Sequence, residues 1–257
     1  MNSNLHPSKE IVETDPKFLE FRQQLLQEAD RLIFLAIDNY ARGMEALRAS
    51  SSTWSFVSFY YASMYAAKAI LALHGCWFQG NGSWLQAENL NQGSQSFKYY
   101  NTRPNMYTRI HSVSASGSHQ IFWSAYYAAA GRLAIYYEPQ HTKAVRPNAG
   151  DEHWQIRVRN DLNYHPISAF RLIDDFSRRF AASPTPMNLP SELATIIEMV
   201  EAMLDLLKFN VSDFNFGTQI YIPSSFFGVR DRSLQQLGVQ HPALTAHVGG
   251  RLPGYCF

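Results

Sequence analysis

Arg159 and His165 stand six positions apart in the stretch RVRNDLNYHP, with Asn160 directly after the arginine and Pro166 directly after the histidine. A guanidinium is permanently charged and grips a phosphate through two parallel hydrogen bonds. An imidazole titrates near neutrality, so it takes a proton from a 2′-hydroxyl or delivers one to a departing 5′-oxygen. The Asn160 carboxamide is placed to orient either group. Together these groups suffice for metal-independent RNA transesterification, in which the 2′-hydroxyl attacks the neighbouring phosphorus and leaves a 2′,3′-cyclic phosphate. One chain brings a single histidine to this motif. Two chains across a two-fold axis would bring both an acid and a base.

Spacing alone does not select this chemistry. A second pair, Arg146 and His153, spans RPNAGDEH, where proline and glycine fix no geometry. The first pair is also compatible with a plain structural role, as a helix-face arginine and a turn histidine bonded to backbone. His153, Asp161 and His165 do not follow a familiar ligand spacing on one helix face, so neither a metal nor another cofactor is expected. No Gly-rich phosphate loop and no nucleophile elbow is present.

Candidate contacts to an RNA backbone lie around the motif. Arg157 and Tyr164 belong to it, and Arg171 and Arg178 follow, seven apart on one helix face. Asp174 and Asp175 lie between the last two, so intrahelical ion pairing competes with that role. Upstream, FKYYNTRPNMYTRIH interleaves Arg103 and Arg109 with tyrosines, a pattern suited to stacking unpaired bases, and suited equally to an ordinary surface segment.

The elements that must position these residues are helical. Phe18, Phe21, Leu25, Ala29, Leu32, Ala36, Tyr40, Met44 and Leu47 recur every three or four residues, which predicts a long amphipathic helix from Pro16 to about Arg48, capped by Asp15. SSTWSFVSFYYASMYAAKAILALHG is apolar almost all round and reads as the central helix of a bundle, capped among Ser51, Ser52 and Thr53 and ended by Gly75. Residues 76–117 are rich in Gly, Asn, Gln and Ser without sustained periodicity, which marks a long inserted loop segment. Helices are expected again from Ser118 to Tyr137, from Asp151 to about Leu162, from Pro166 to about Ser183 and from a Ser191 cap to about Asn210. Pro166 disfavours the helical conformation at His165, so a break falls there. The expected fold class is mostly α: an antiparallel helical bundle over 16–209, preceded by a flexible N-terminus over 1–15 and followed by a non-helical C-terminal tail over 210–257.

Composition bounds the partners. The 257 residues carry a formal net charge of only +1, which disfavours a uniformly basic, DNA-coating protein and leaves room for a local basic patch. Two cysteines without ligand spacing and a polar N-terminus point to a reducing, cytoplasmic setting. The apolar run from Trp54 to His74 contains serines and Lys68, and reads as a buried helix rather than a membrane span.

RNDLNYHP resembles the R-x(4–6)-H signature of HEPN domains, including the polar residue that often follows the arginine, and SFYYASMYAAKAILALHG resembles their Tyr/Ala-rich core helix. The resemblance spans about Leu25 to Asn210. It implies a helical bundle, homodimerisation and metal-independent endoribonuclease activity in a toxin–antitoxin or antiviral defence setting, with an antitoxin or defence-system partner. It implies that Arg159 and His165 are catalytic and that Asn160 supports them. Ile167 stands where one toxin branch carries a tyrosine modified by a partner nucleotidyltransferase. The same resemblance also accommodates a module that binds nucleic acid or protein without cutting.

Overall fold

The structure is a computed structural model and describes residues 11–12, 16–79, 83–90, 94–101, 118–133, 141–180 and 188–214. It is mostly helical. In chain order the elements are β1 (Ile11–Val12), α1 (Pro16–Arg48), α2 (Ser52–Leu73), β2 (Cys76–Gln79), β3 (Ser83–Leu90), β4 (Ser94–Asn101), α3 (Ser118–Leu133), α4 (Thr142–Val145), α5 (Trp154–Tyr164), α6 (Pro166–Arg179) and α7 (Ser191–Phe214).

The stripe read from α1 is the one the fold buries. Phe18, Ala29, Ala36 and Tyr40 are almost wholly enclosed, and Met44 packs at the edge of the same core. Ser50 takes a left-handed conformation, with φ at 59°, so the chain reverses within a few residues and α2 lies along α1. The two helices come close at Gly43, where an added Cβ would meet the Phe59 ring at 2.6 Å. Such proximity needs a residue without a side chain on one of the two helices.

Helix α2 is the centre of the bundle. It touches α1, α3, α5, α6 and α7, which explains why no polar face is spared along it. By length and composition it is long and apolar enough to cross a membrane, and 78% of its most apolar window is covered by the other helices of the fold. Ser51 holds its N-cap position without a side-chain hydrogen bond, and Gly75 ends the turn after it at φ 76°. A 2.7 Å bond from the Tyr40 hydroxyl to Glu201 Oε1 ties α1 to α7. Ser191 begins α7 instead of capping it, with its hydroxyl directed to Glu192.

The expectation of a long loop is corrected. The segment over 76–117 is not a continuous loop: strands β2, β3 and β4 form an antiparallel sheet in the order β1-β4-β3-β2. Cys76 pairs with Gln86, and Trp84 with Tyr100. Polar residues interrupt the apolar ones within these strands and glycine and asparagine lie between them, so they offer no long apolar alternation to detect. Of the N-terminal segment over 1–15, Ile11 and Val12 are described and pair with Phe97 and Ser96 along β4, and its other residues lie outside the described ones. Two β-branched residues suffice to extend an open sheet edge. Helix α7 also runs four residues past the expected Asn210, to Phe214, and the expected tail beyond it lies outside the described residues.

Candidate functional site

Helices α5 and α6 meet at His165. Its backbone is extended, with φ −116° and ψ 97°, and Pro166 occupies the first position of α6. The break is closed on both sides by backbone. The His165 amide donates to the Asp161 carbonyl at 2.9 Å, and its own carbonyl accepts from Ser168 and Ala169. The ring is thereby presented to solvent, with 67% of the side chain exposed and Nε2 3.8 Å from Asp161 Oδ1.

Arg159 faces the other way. Its guanidinium carbon lies 5.2 Å from the centroid of the Tyr60 ring, a residue of α2 that is completely buried. Its Nε is buried and has no hydrogen-bond partner among the described residues. Cation–π attraction places the charge, and the donor that a flat aromatic face cannot satisfy is left over. Asn160 beside it is half-buried. Within one chain, Arg159 and His165 therefore occupy different surroundings, and no hydrogen bond or ion pair joins them among the described residues.

Tyr60 gathers a residue that the sequence did not single out. His119, in the first turn of α3, stacks on the Tyr60 ring, and its Nδ1 is 2.5 Å from the Tyr60 hydroxyl. Burial, and then the neighbouring charges of Arg159 and Lys68, push the imidazole below the usual histidine range. Burial pushes the Tyr60 phenol up, with Arg159 partly opposing, so Tyr60 stays protonated near neutrality. Lys68 on α2 reaches over the Phe122 ring at 5.7 Å, and burial lowers its pKa against the opposing charge of Glu28. A sequence signal for this cluster existed in part: Lys68 is the one charged residue between Ser52 and Leu73. Nothing in sequence connects it to His119.

The expected RNA contacts are dispersed. Arg157 is paired with Asp151 at 2.5 Å, and Arg178 with Asp174 one helical turn before it. Arg179 likewise pairs with Asp175 at 2.6 Å. Arg171 is exposed, and Tyr164 is 70% exposed beside His165. Arg103 and Arg109 lie outside the described residues. The competing pair has different partners: His153 Nε2 lies 2.8 Å from the Ser124 hydroxyl, whereas Arg146 lines a cavity of about 430 Å³ with Lys143, Trp154, Glu198 and Met199.

Helix α6 turns apolar side chains outward next to the motif. Ile167, Phe170 and Ile173 recur at every third position and are 69%, 65% and 44% exposed. Their neighbours Leu172 and Phe176 fill the core instead. Tyr164, directly before the exposed histidine, adds a further exposed aromatic ring.

No protein-family model matches the chain, and neither does any curated protein or solved structure.

Proposed function

We propose that the chain is a metal-independent endoribonuclease of the HEPN type, acting as a cytoplasmic homodimer in a toxin or antiviral defence role. The observation that carries the reading is the state of the two motif residues at the end of α5. Arg159 keeps a buried guanidinium donor unsatisfied, and His165 is held in the open at a proline-fixed break. A phosphodiester oxygen would satisfy the first, and the second is free to move a proton.

The separation of these side chains within one chain makes the second copy part of the proposal. Tyr164, Ile167 and Phe170 expose apolar surface around His165, which an isologous contact would bury while carrying each histidine toward the partner's arginine. Asn160 then orients the bound phosphate, and Arg171 serves the RNA backbone. Arg157 and Arg178 would first have to leave their carboxylates. An antitoxin or defence-system protein is the proposed regulatory partner.

Analysis of product ends tests the reading. RNA incubated with the protein should yield 2′,3′-cyclic phosphate termini, and an all-2′-deoxy strand of the same sequence should survive. Equal cutting of both strands would contradict an attack by the 2′-hydroxyl.

A further inference from the structure

We propose that His119, Arg159 and the Tyr60 hydroxyl form a phosphate-binding site at the junction of α2, α3 and α5, whose ligand is a phosphate group of the RNA backbone. The proposal rests on the ribonuclease reading for the identity of that ligand. The anion site itself does not require cleavage.

Three observations converge on it. Two nitrogen-bearing side chains from different helices are held by one buried aromatic residue: Arg159 over its face at 5.2 Å and His119 on its hydroxyl at 2.5 Å. Among the described residues no carboxylate pairs with either. The hydrogen bonds and ion pairs of the described residues give Arg159 and His119 no acidic partner, while the other motif arginine, Arg157, and the α6 arginines Arg178 and Arg179 each have one. Finally, Arg159 Nε is a buried donor without an acceptor among the described residues, a costly arrangement that a bound anion would complete.

Among the described residues, the charged and titratable groups facing His119 are Tyr60 and Lys68 on α2 and Arg159 on α5, with Glu28 on α1 beside Lys68. Arg159 and Lys68 disfavour a charged imidazole, so the empty site holds His119 neutral at physiological pH. An anion placed between them reverses the sign. It stabilises the imidazolium, draws a proton onto His119, and binds more tightly as pH falls. Tyr60 fixes the ring in either state, donating its O–H to Nδ1 of the neutral imidazole and accepting from Nδ1–H of the cation.

The test is a titration of the His119 ring by NMR with and without inorganic phosphate, assigned through His119→Gln. Phosphate should raise the His119 pKa in the wild-type chain. Arg159→Lys, which keeps charge but loses the planar donor fork, should weaken phosphate binding about tenfold or more. Unmoved His119 at saturating phosphate, or the same phosphate affinity in Arg159→Lys, overturns the site. RNA cleavage measured alongside separates the two proposals. A phosphate-shifted His119 in a protein that cuts no RNA keeps this site and removes the nuclease. Cleavage lost in Arg159→Ala, with an unmoved His119 and a fully active His119→Gln variant, removes this site and keeps the nuclease.

Discussion

The guanidinium of Arg159 lies over the Tyr60 ring at 5.2 Å, so the arginine of the motif belongs to the interior side of α5. Six residues later the histidine belongs to the surface. A six-residue step turns the helix by about 240°, and the break at Pro166 turns the last residue further out. The motif is therefore split between a buried aromatic platform and an exposed apolar rim, and each half predicts a different experiment.

Dimerisation should depend on the rim. Phe170→Glu and Ile167→Glu place a charge where the account buries an apolar face. Both variants should sediment as monomers, with thermal stability close to wild type, because neither side chain fills the core of its own chain. A wild-type oligomeric state in both would remove α6 from the interface.

A site shared across two chains should show complementation. Arg159→Ala and His165→Ala, each inactive alone, should regain about a quarter of wild-type cleavage when exchanged into mixed dimers at equal ratio, since half the dimers are mixed and each holds one intact site. Activity that stays at the background of the single variants shows that both residues must lie in one chain.

Gly43→Ala should destabilise the bundle. The new methyl would stand 2.6 Å from the ring of Phe59, which is fully enclosed and has no room to swing. Overpacking of this kind costs about 1–3 kcal/mol, readable as a lower denaturant midpoint at unchanged slope. A neutral result would mean that α1 and α2 pack less closely than described.

Stability should fall on the acid side of neutrality through His74. Burial holds its pKa down at about 4, against an ordinary value of 6.5. Between those values the unfolded chain binds a proton that the folded chain refuses. The contribution is thus complete above pH 6.5 and is lost as pH falls toward 4, by on the order of 3 kcal/mol. His74→Gln should flatten that limb when chemical denaturation at pH 7 and pH 5 is compared. A limb of unchanged height would assign the acid sensitivity to other groups.

The helices were legible because their signals are local. The α1 stripe, the all-apolar α2, the Pro166 break and the stripe on α7 each follow from periodicity or from one residue's backbone restriction. The sheet was not, since β1 joins it across more than eighty residues and its pairing leaves no pattern in either segment. The same limit applies to the site. Arg159, Asn160 and His165 are neighbours in sequence and could be picked out there. His119 reaches Arg159 only through Tyr60, from two other helices, and no spacing rule encodes that meeting.

The central claim is that Arg159 and His165 cut RNA without a metal. Its most direct measurement is cleavage of a defined RNA in excess EDTA by the wild-type chain, Arg159→Ala and His165→Ala, with circular dichroism confirming that all three are folded. The account predicts that the wild type cuts in EDTA and that each variant is slower by at least about a hundredfold. Equal rates for the three proteins, or activity that EDTA abolishes in the wild type, would contradict it.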